Sequence, residues 1–320
     1  MHKAVSILFG ILLLGATASA ANVRVIPISP RLHVPASQRH PLVNKQGFIL
    51  APVRWPILTF YPAPRSINTR CAVIICPGGA YSFEVVRREG IRPAQRFNKF
   101  GVNCFVLRYR LPDGKLPPSG VPWPLQDIRR AIQIVRFHAS QWKINPHRVG
   151  VMGFSAGGSV ASLAGVHWLP GNPDAKNPLN RFSTRPDFMV LCYPVISMMP
   201  SITHPGSHNA FLGARPPLDV EQYFSSELNV TSLTPPAFIC YAHDDTVVNH
   251  QNEKRFYAAL KRNGVPAKLV EFKRGQHGFG IGAPGTGSVK WPIECERWLV
   301  GLGLLPVNPT QQGKPPPSGP

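Results

Sequence analysis

Short apolar runs alternate with longer amphipathic stretches over most of the chain. The apolar runs are four to six residues long and predict strands at 56–61, 72–75, 103–107, 149–152, 188–192, 237–241 and 267–272. The amphipathic stretches predict helices at 92–100, 125–141, 157–168 and 251–262, with a last helix at 289–299. Strands that are apolar throughout are covered on both faces. The alternation therefore predicts an α/β fold with a doubly wound, mostly parallel sheet and helices on both faces.

Two segments interrupt this alternation. Residues 111–124 are rich in proline and glycine and predict a loop. Residues 197–234 form the longest stretch without strand character, although 220–228 is compatible with a short helix. An insertion of that length in a compact domain is usually functional or mobile.

The two ends of the chain differ from its middle. Residues 1–20 combine a basic start, an apolar run at 4–14 and small residues at 18–20, which is the pattern of a cleaved export signal. An uncleaved membrane anchor is the alternative, but the run is short for a bilayer span. Residues 306–320 are rich in proline and poor in hydrophobic residues, so we expect them to be disordered. We predict a secreted or periplasmic protein with one folded domain at 21–305.

The chain is strongly basic. It has 35 Lys and Arg against 15 Asp and Glu, a net charge of +20, and removal of the signal with its Lys3 leaves 20 − 1 = +19. A field of that sign attracts anionic partners such as acidic polysaccharides, anionic lipids or nucleic acids. The basic residues are scattered and accompany no nucleic-acid motif. We therefore expect no nucleic-acid partner and, after signal removal, no membrane partner.

Five of the six cysteines lie within or beside the apolar runs, and Cys295 lies in the predicted helix 289–299. Six cysteines in an exported chain first suggest disulfides, but Cys104, Cys192 and Cys240 lie inside predicted strands. Side chains on neighbouring parallel strands rarely have disulfide geometry. We expect mainly free thiols in the core, and a bridge that involves Cys71 or Cys295 is left open.

A G-x-S-x-G motif supplies a candidate nucleophile. Gly153-Phe154-Ser155-Ala156-Gly157 follows the predicted strand 149–152 and opens a helix of small residues. A sharp strand-to-helix turn strains the serine backbone and lifts its hydroxyl above the sheet. A structural glycine turn with an incidental serine is the alternative, but the strand and helix on either side favour Ser155 as a nucleophile.

A serine hydroxyl needs a base to remove its proton, and the base needs a carboxylate to orient it. Asp245 follows the predicted strand 237–241, and His277 lies 277 − 245 = 32 residues later, beside glycines after the last strand. Both stand at carboxyl ends of strands, where open α/β sheets build their sites. Asp244 is the alternative candidate for the carboxylate that orients the histidine.

Backbone amides for a developing oxyanion are expected in two places. Pro77-Gly78-Gly79-Ala80-Tyr81 follows the predicted strand 72–75, and its glycines let amide groups approach a substrate. We assign the amides of Gly79 and Ala156, with that of Ala80 as a further candidate. A plain glycine turn is the alternative interpretation.

Other residue patterns do not point to a cofactor. The sequence has no HExxH, no CxxC pair and no phosphate-binding glycine loop, so we expect neither a metal nor a cofactor. Tyr109 and Arg110 end a strand and Asp127 opens the next helix, which is more typical of a buried structural network than of a substrate site.

With these residues placed, the chain resembles the α/β-hydrolase superfamily over about residues 56–305. Within it the chain is similar to the bacterial carbohydrate-esterase branch that includes acetylxylan and feruloyl esterases. The pieces that carry the resemblance are Cys76-Pro77-Gly78-Gly79-Ala80-Tyr81, Arg108-Tyr109-Arg110-Leu111, Pro124-Leu125-Gln126-Asp127, 153–158, Tyr193-Pro194-Val195-Ile196-Ser197, His204-Pro205-Gly206-Ser207, 244–248 and 276–279.

The resemblance implies a secreted serine esterase that removes acetyl or other acyl groups from a polysaccharide such as xylan. Tyr81 and His208 are its candidates for substrate contact. Three positions depart from the branch: Ala80 stands where a third glycine is common, His208 where arginine is expected, and Asn249 where proline is usual. The change at His208 lies in the insertion, where it bears on which sugar or acyl group is recognised.

Two other functions are compatible with the same fold. A secreted serine peptidase of the prolyl-oligopeptidase type has the same Ser, Asp, His order, but it normally carries a propeller domain that the segment before Pro56 is too short to supply. A non-catalytic binding protein is the other alternative, and the presence of all three triad residue types disfavours it. The pattern leaves the acyl group, the sugar and the oligomeric state open.

Overall fold

The structure is a computed structural model that describes residues 24–28, 53 and 55–307. The predicted signal at 1–20 lies outside these residues, as does the predicted tail apart from its first two positions. Among the residues described, no helix has the length and apolar character needed to cross a membrane.

An eight-stranded sheet forms the centre of the described chain. Its strands are β1 (Arg24–Pro27), β2 (Ile57–Tyr61), β3 (Ala72–Cys76), β4 (Asn103–Arg108), β5 (Val149–Phe154), β6 (Met189–Cys192), β7 (Ala237–Ala242) and β8 (Ala267–Phe272). They lie in the order β1-β2-β4-β3-β5-β6-β7-β8. The pairs β1–β2 and β2–β4 are antiparallel, and all other pairs are parallel. The predicted mostly parallel sheet is confirmed, and β1 is an added edge strand that the pattern does not predict.

Helices cover both faces of this sheet, as predicted. They are α1 (Arg92–Asn98), α2 (Trp123–Phe137), α3 (Ala156–Val166), α4 (Pro205–Leu212), α5 (Leu218–Tyr223), α6 (Gln251–Arg262) and α7 (Trp291–Gly301). One π-helical turn, Arg87–Ile91, leads into α1. Apolar residues of α2, α3 and α6 pack on one face of the sheet, and those of α1 and α7 pack on the other.

The strand β3 shows why its sequence is apolar at every position. All five of its residues are buried. Successive side chains of a strand point to opposite faces. Ile74 therefore packs with α2 and α3, while Val73 and Ile75 pack with α1 and α7. Because both faces of this strand are covered, its sequence lacks the alternation of apolar and polar residues that a half-exposed strand shows.

The six cysteines are all buried and unpaired. Cys76 packs in the core on the α2, α3 and α6 face, whereas the other five thiols lie in the core on the α1 and α7 face. Cys71 and Cys295, for which a bridge was left open, form no disulfide.

The insertion at 197–234 packs against the loop at 111–124. The Gly114 N–H donates to the carbonyl oxygen of Ala210 in α4 at 2.8 Å, which joins the two interruptions of the α/β alternation. The single helix expected at 220–228 is wrong in extent, because α5 ends at Tyr223 and a separate 3₁₀ turn, Ser226–Leu228, follows. Between them the hydroxyl of Ser225 accepts the Met198 N–H at 2.9 Å and donates to the Glu221 carbonyl oxygen at 2.7 Å.

Candidate active site

Three loops at the carboxyl ends of parallel strands meet above the sheet. Ser155 follows β5, Asp245 follows β7 and His277 follows β8. The His277 imidazole lies between the other two side chains. Its Nε2 is 2.9 Å from the Ser155 hydroxyl oxygen, and its Nδ1 is 2.7 Å from an Asp245 carboxylate oxygen. The structure thus brings together the three residues that the sequence selects.

The partners of His277 define where its proton lies. An ionised carboxylate can only accept hydrogen bonds, so Nδ1 carries the proton and donates to Asp245. In the neutral ring Nε2 is then an acceptor, and the Ser155 hydroxyl donates to it. In this tautomer the imidazole is able to take the serine proton.

The backbone of Ser155 is strained into a left-handed conformation, with φ 52° and ψ −122°. Its neighbours must be glycines. A Cβ at Gly153 would lie 2.1 Å from the carbonyl oxygen of Gly157, and a Cβ at Gly157 would lie 2.1 Å from the carbonyl oxygen of Cys76. Both glycines of the motif are therefore required by close backbone contact, as expected for a tight strand-to-helix turn that presents a nucleophile.

The environment of Asp245 keeps its carboxyl ionised. Its second oxygen accepts the backbone N–H groups of Val247 at 2.8 Å and Val248 at 3.0 Å. Burial alone raises the pKa of Asp245, but the hydrogen bond and charge of His277 and the two backbone amides outweigh burial and leave that pKa below its usual value. The carboxylate is thus ionised near neutral pH and holds His277 in one orientation.

Asp244, the rival acid, occupies a different place. Its Oδ1 accepts the backbone N–H groups of Gly275 at 2.9 Å and Gln276 at 2.8 Å. It therefore fastens the loop that carries His277, while Asp245 contacts the histidine itself.

The amides assigned to an oxyanion site lie beside the nucleophile. Those of Gly79, Ala80 and Ala156 donate to no acceptor within the part of the chain that the structure describes. A Cβ at Gly78 would stand 2.8 Å from the Cβ of Ser155, so this loop runs directly against the nucleophile. Gly79 has φ 134° and its Cβ would lie 2.0 Å from a carbonyl oxygen of the following turn. Unpaired amides at this position suit an oxyanion, and that role stays a prediction.

The two candidates for substrate contact are buried. Tyr81 is 1% exposed, and its ring stacks on Phe211 of α4 with centroids 4.9 Å apart. His208 is 5% exposed; one ring nitrogen lies 3.0 Å from the Glu221 carboxylate and the other 3.1 Å from the Asn209 side-chain oxygen. These positions correct the predicted contacts: Tyr81 anchors the insertion to the oxyanion loop, and His208 joins α4 to α5.

Tyr109, Arg110 and Asp127 make structural contacts beside the site. The Tyr109 hydroxyl donates to the carbonyl oxygen of Pro77 at 2.7 Å. The Arg110 guanidinium binds both carboxylate oxygens of Asp127, with its Nε 3.0 Å and 3.1 Å away from them. The structure thus gives these residues the structural contacts that the sequence interpretation favours over substrate binding.

Glu89 is the residue of this site that sequence reasoning misses. Its carboxyl is 2% exposed and accepts the Gly78 N–H at 2.8 Å and the Tyr193 hydroxyl at 3.0 Å. The Tyr193 hydroxyl in turn accepts the N–H of Gly280 at 3.0 Å. One carboxyl therefore ties the oxyanion loop to the loop that carries His277.

The Tyr193 ring also contacts the catalytic histidine itself. Its centroid is 4.9 Å from that of His277, in an edge-to-face arrangement. Burial raises the pKa of Glu89, and the Gly78 amide, Arg88, the Tyr193 hydroxyl and His277 offset part of that rise. In the sequence Glu89 stands in the arginine-rich stretch Arg87-Arg88-Glu89-Gly90, where a charge is expected to face solvent; no periodic signal marks it as buried.

The described residues contain no group of three or more His, Cys, Asp or Glu side chains placed to hold a metal ion. What the site offers is a nucleophile, a base, an ionised orienting carboxylate and unpaired amides. Such a set is suited to acyl transfer through a covalent intermediate.

Known proteins resemble this chain in sequence and in fold. The BD-FAE family matches residues 58–260. The acetylxylan esterase of Xylanibacter ruminicola is 36% identical over 215 residues, which cover 66% of this chain and 41% of that protein. Endo-1,4-beta-xylanase B of Butyrivibrio fibrisolvens is 35% identical over 229 residues, which cover 71% of this chain and 35% of that protein. The chain thus spans less than half the length of these two relatives.

A solved structure covers more of the molecule. The crystal structure of an acetyl ester-xyloside bifunctional hydrolase from Caldicellulosiruptor lactoaceticus superposes with a TM-score of 0.76 at 35% identity. The match covers 88% of this chain and 97% of that one. The similarity therefore extends over the sheet and its helices and is not confined to the motifs.

Proposed function

Since this chain belongs to the BD-FAE family, we propose that it is a serine carboxylic-ester hydrolase that removes acetyl or other acyl groups from a polysaccharide such as xylan. The observation that carries the proposal is the hydrogen-bonded row of Ser155, His277 and Asp245. Similarity to an acetylxylan esterase and to an acetyl ester-xyloside hydrolase supports xylan as the polymer. The export pattern at 1–20 supports a secreted or periplasmic protein, because an insoluble polysaccharide is met outside the cytoplasm.

Acylation begins at the serine. The Ser155 oxygen attacks the ester carbonyl carbon as its proton passes to Nε2 of His277. The carbonyl oxygen becomes an oxyanion, which the amides of Gly79, Ala80 and Ala156 stabilise. The carbon–oxygen bond to the sugar then breaks, and Nε2 returns the proton to the leaving alcohol.

Deacylation repeats these steps with water. A water molecule gives its proton to Nε2 of His277 and attacks the acyl group on Ser155. The carboxylic acid leaves and the serine regains its proton. Throughout, Asp245 stays ionised and stabilises the imidazolium, which its lowered pKa allows.

The test is acyl release by the purified mature protein. Acetate and ferulate are measured from acetylated xylan, a feruloylated oligosaccharide and p-nitrophenyl acetate, with wild type beside Ser155→Ala. We expect acetate release from xylan that stops in the variant, and labelling by a fluorophosphonate at Ser155 alone. Ser232→Ala, an exposed serine before the amino end of β7, is the matched control and keeps full activity.

Each other result has a distinct meaning. Turnover of p-nitrophenyl acetate alone keeps the hydrolase and removes xylan as its substrate. Cleavage of peptides without acyl release favours a peptidase. Activity that survives Ser155→Ala overturns the mechanism.

A further inference from the structure

A cavity of about 610 Å³ opens at the amino ends of the parallel strands, at the opposite end of the sheet from Ser155. We call it the amino-end cavity; Arg65, Asn68, Arg70, Phe137 and Lys143 contribute to its lining. Arg70 comes just before β3, and Lys143 lies in the turn that precedes β5. Since β5 has six residues and a strand rises about 3.3 Å per residue, roughly 20 Å separates the cavity from the catalytic loops.

We propose that the amino-end cavity binds a carboxylate-bearing sugar of an acidic polysaccharide. This inference rests on the proposed function, because it assigns a second contact to the polymer whose ester groups the catalytic site removes.

The cavity presents cations that have no partner among the residues described. Arg65, Arg70 and Lys143 are exposed, and their side chains make no hydrogen bond or ion pair with any residue that the structure describes. No Asp or Glu of the described chain lines the cavity. Open guanidinium and ammonium groups on one wall suit a carboxylate, which a guanidinium binds through two parallel hydrogen bonds.

Arg136 also lines the cavity but, unlike the other cations there, is fully paired with residues that the structure describes. Its Nε donates to the Pro146 carbonyl oxygen at 3.0 Å, and its terminal nitrogens donate to the Ser183 carbonyl oxygen at 2.7 Å and to the Asp187 carboxylate at 3.0 Å. Arg136 and Asp187 therefore neutralise each other inside the fold. The remaining cations of the cavity, which are unpaired within the described part of the chain, are those that we assign to a ligand from outside.

Two of these cations are held in strained positions. Arg70 has φ 63° and Lys143 has φ 56°, a left-handed conformation that glycine and asparagine adopt more readily than long side chains. Asn68 fixes both segments: its Oδ1 accepts the Arg70 N–H at 2.8 Å, and its Nδ2 donates to the Lys143 carbonyl oxygen at 3.4 Å. Strain kept at two cationic residues of one cavity is the kind of outlier that accompanies a binding site.

An aromatic wall favours a sugar over a simple anion. Phe137 is 44% exposed at the cavity, and its ring meets that of Phe182 edge to face at 6.3 Å. An exposed aromatic ring provides apolar contact for the carbon face of a pyranose, while the cations take its carboxylate. A phosphate ion would use the cations and leave the ring unused. The net charge of +20 adds a long-range attraction for an acidic polymer.

The test measures binding apart from turnover. Titration calorimetry uses the Ser155→Ala protein with a glucuronate-substituted xylo-oligosaccharide and with a neutral xylo-oligosaccharide of equal length. We expect the acidic oligosaccharide to bind at least tenfold more tightly. In the same background, Arg70→Gln with Lys143→Gln and, separately, Phe137→Ala each weaken its binding at least tenfold.

The matched control removes the same charge elsewhere. Lys261→Gln with Arg262→Gln changes two exposed cations at the end of α6 and leaves the affinity within twofold. With Ser155 restored, the cavity variants hydrolyse p-nitrophenyl acetate at the wild-type rate, which shows that they are folded.

Four results would overturn the proposal. They are equal affinity for the acidic and neutral oligosaccharides, equal loss in the cavity variants and the control, no loss in the cavity variants, and tighter binding of inorganic phosphate or phosphatidylglycerol vesicles than of the acidic sugar. Failure of the proposed function looks different, because the wild type then releases no acyl group while oligosaccharide binding is unaffected.

Discussion

The two ends of the parallel strands share backbone strain but differ in how their charges are paired. The non-glycine residues with left-handed backbone in the described chain are Ala80, Tyr81, Ser155, Tyr193 and Gln276 near carboxyl ends, and Arg70 and Lys143 near amino ends. At the carboxyl ends Asp245, Asp244 and Glu89 all accept at least two hydrogen bonds. At the amino ends the side chains of Arg70 and Lys143 have no partner among the described residues.

The difference agrees with the two roles proposed above, catalysis at the carboxyl ends and anion binding at the amino ends. A catalytic group must keep one orientation through the reaction, so its neighbours saturate it with hydrogen bonds. A group that takes an anion from outside must keep its donors open, so only its backbone is fixed. The predictions below test this contrast, from the largest expected effect to the smallest.

The largest effect is expected at Ser155. Ser155→Ala lowers kcat for p-nitrophenyl acetate by about 10⁴- to 10⁶-fold, because the residues of a triad act as a unit. Initial rates at saturating substrate measure this loss of kcat, with the exposed Ser232→Ala as the unchanged control. A loss below tenfold would remove Ser155 from the chemistry.

The two adjacent aspartates are expected to differ sharply. Asp245→Asn lowers kcat by about 10⁴-fold, because an amide group favours the wrong imidazole tautomer. Asp244→Asn keeps an oxygen that accepts the N–H groups of the His277 loop, so kcat falls by less than about tenfold. Steady-state kinetics of both variants decide the matter, and equal losses would contradict the assignment of Asp245.

Glu89→Gln is expected to lower kcat by about 10- to 100-fold with little change in KM, because a small displacement of catalytic groups has that effect. The glutamine side chain of this variant would present an amide group to the Tyr193 hydroxyl, which now donates to Glu89. Tyr193→Phe removes the same hydrogen bond and should give a similar loss. The expected loss of kcat is checked by measuring kcat, KM and the melting temperature of each variant. A change in melting temperature with unchanged kcat would show that the carboxyl only stabilises the fold.

The pH dependence of stability is expected to depend on Glu84. The Glu84 carboxyl is buried and accepts the Tyr109 N–H at 3.0 Å. Burial raises the pKa of Glu84 to about 8, whereas an unfolded glutamate has a pKa of about 4.3. Between these values the folded state binds more protons than the unfolded state, so this contribution to stability is full below about pH 4.3 and is lost as pH rises to about 8. Glu84→Gln has no such proton, and its unfolding free energy should fall less from pH 5 to pH 8. Urea unfolding at several pH values measures this, and parallel curves for variant and wild type would contradict it.

The smallest effect is expected at the amino ends. Glycine relieves the left-handed strain at Arg70 and Lys143 and alanine does not, so Arg70→Gly and Lys143→Gly should each be about 1 kcal/mol more stable than the matching alanine variants. Urea unfolding compares each pair. Equal stabilities would mean that the backbone there is not strained.

Much of the catalytic site follows from sequence because its requirements are local. The sharp turn at Ser155 needs two glycines at fixed spacing, and strands buried on both faces are continuous apolar runs. Asp245 and His277 then follow from the ends of predicted strands. The amides of Gly79 and Ala156 were also assigned from sequence; they donate to no described acceptor, and their role toward an oxyanion stays a prediction.

The features that sequence reasoning missed depend on distant partners. Glu89 is buried because Gly78 and Tyr193 meet it, and nothing within its own segment announces those contacts. The helix α4 has only eight residues and starts with Pro205-Gly206, too short for a periodic pattern. His208 was selected because it replaces an expected arginine, yet its partner Glu221 lies on another helix of the same insertion.

The reactivity of the buried cysteine thiols reports local unfolding of this protein. Burial raises the pKa of Cys71 to about 12, so a thiol reagent meets almost no thiolate while the fold is closed. Cys76 lies on one side of the sheet and the other five cysteines on the opposite side. Mass spectrometry of alkylated peptides, sampled over time in mild denaturant, would thus record separately when each layer of helices detaches from the sheet, without any label having to be introduced.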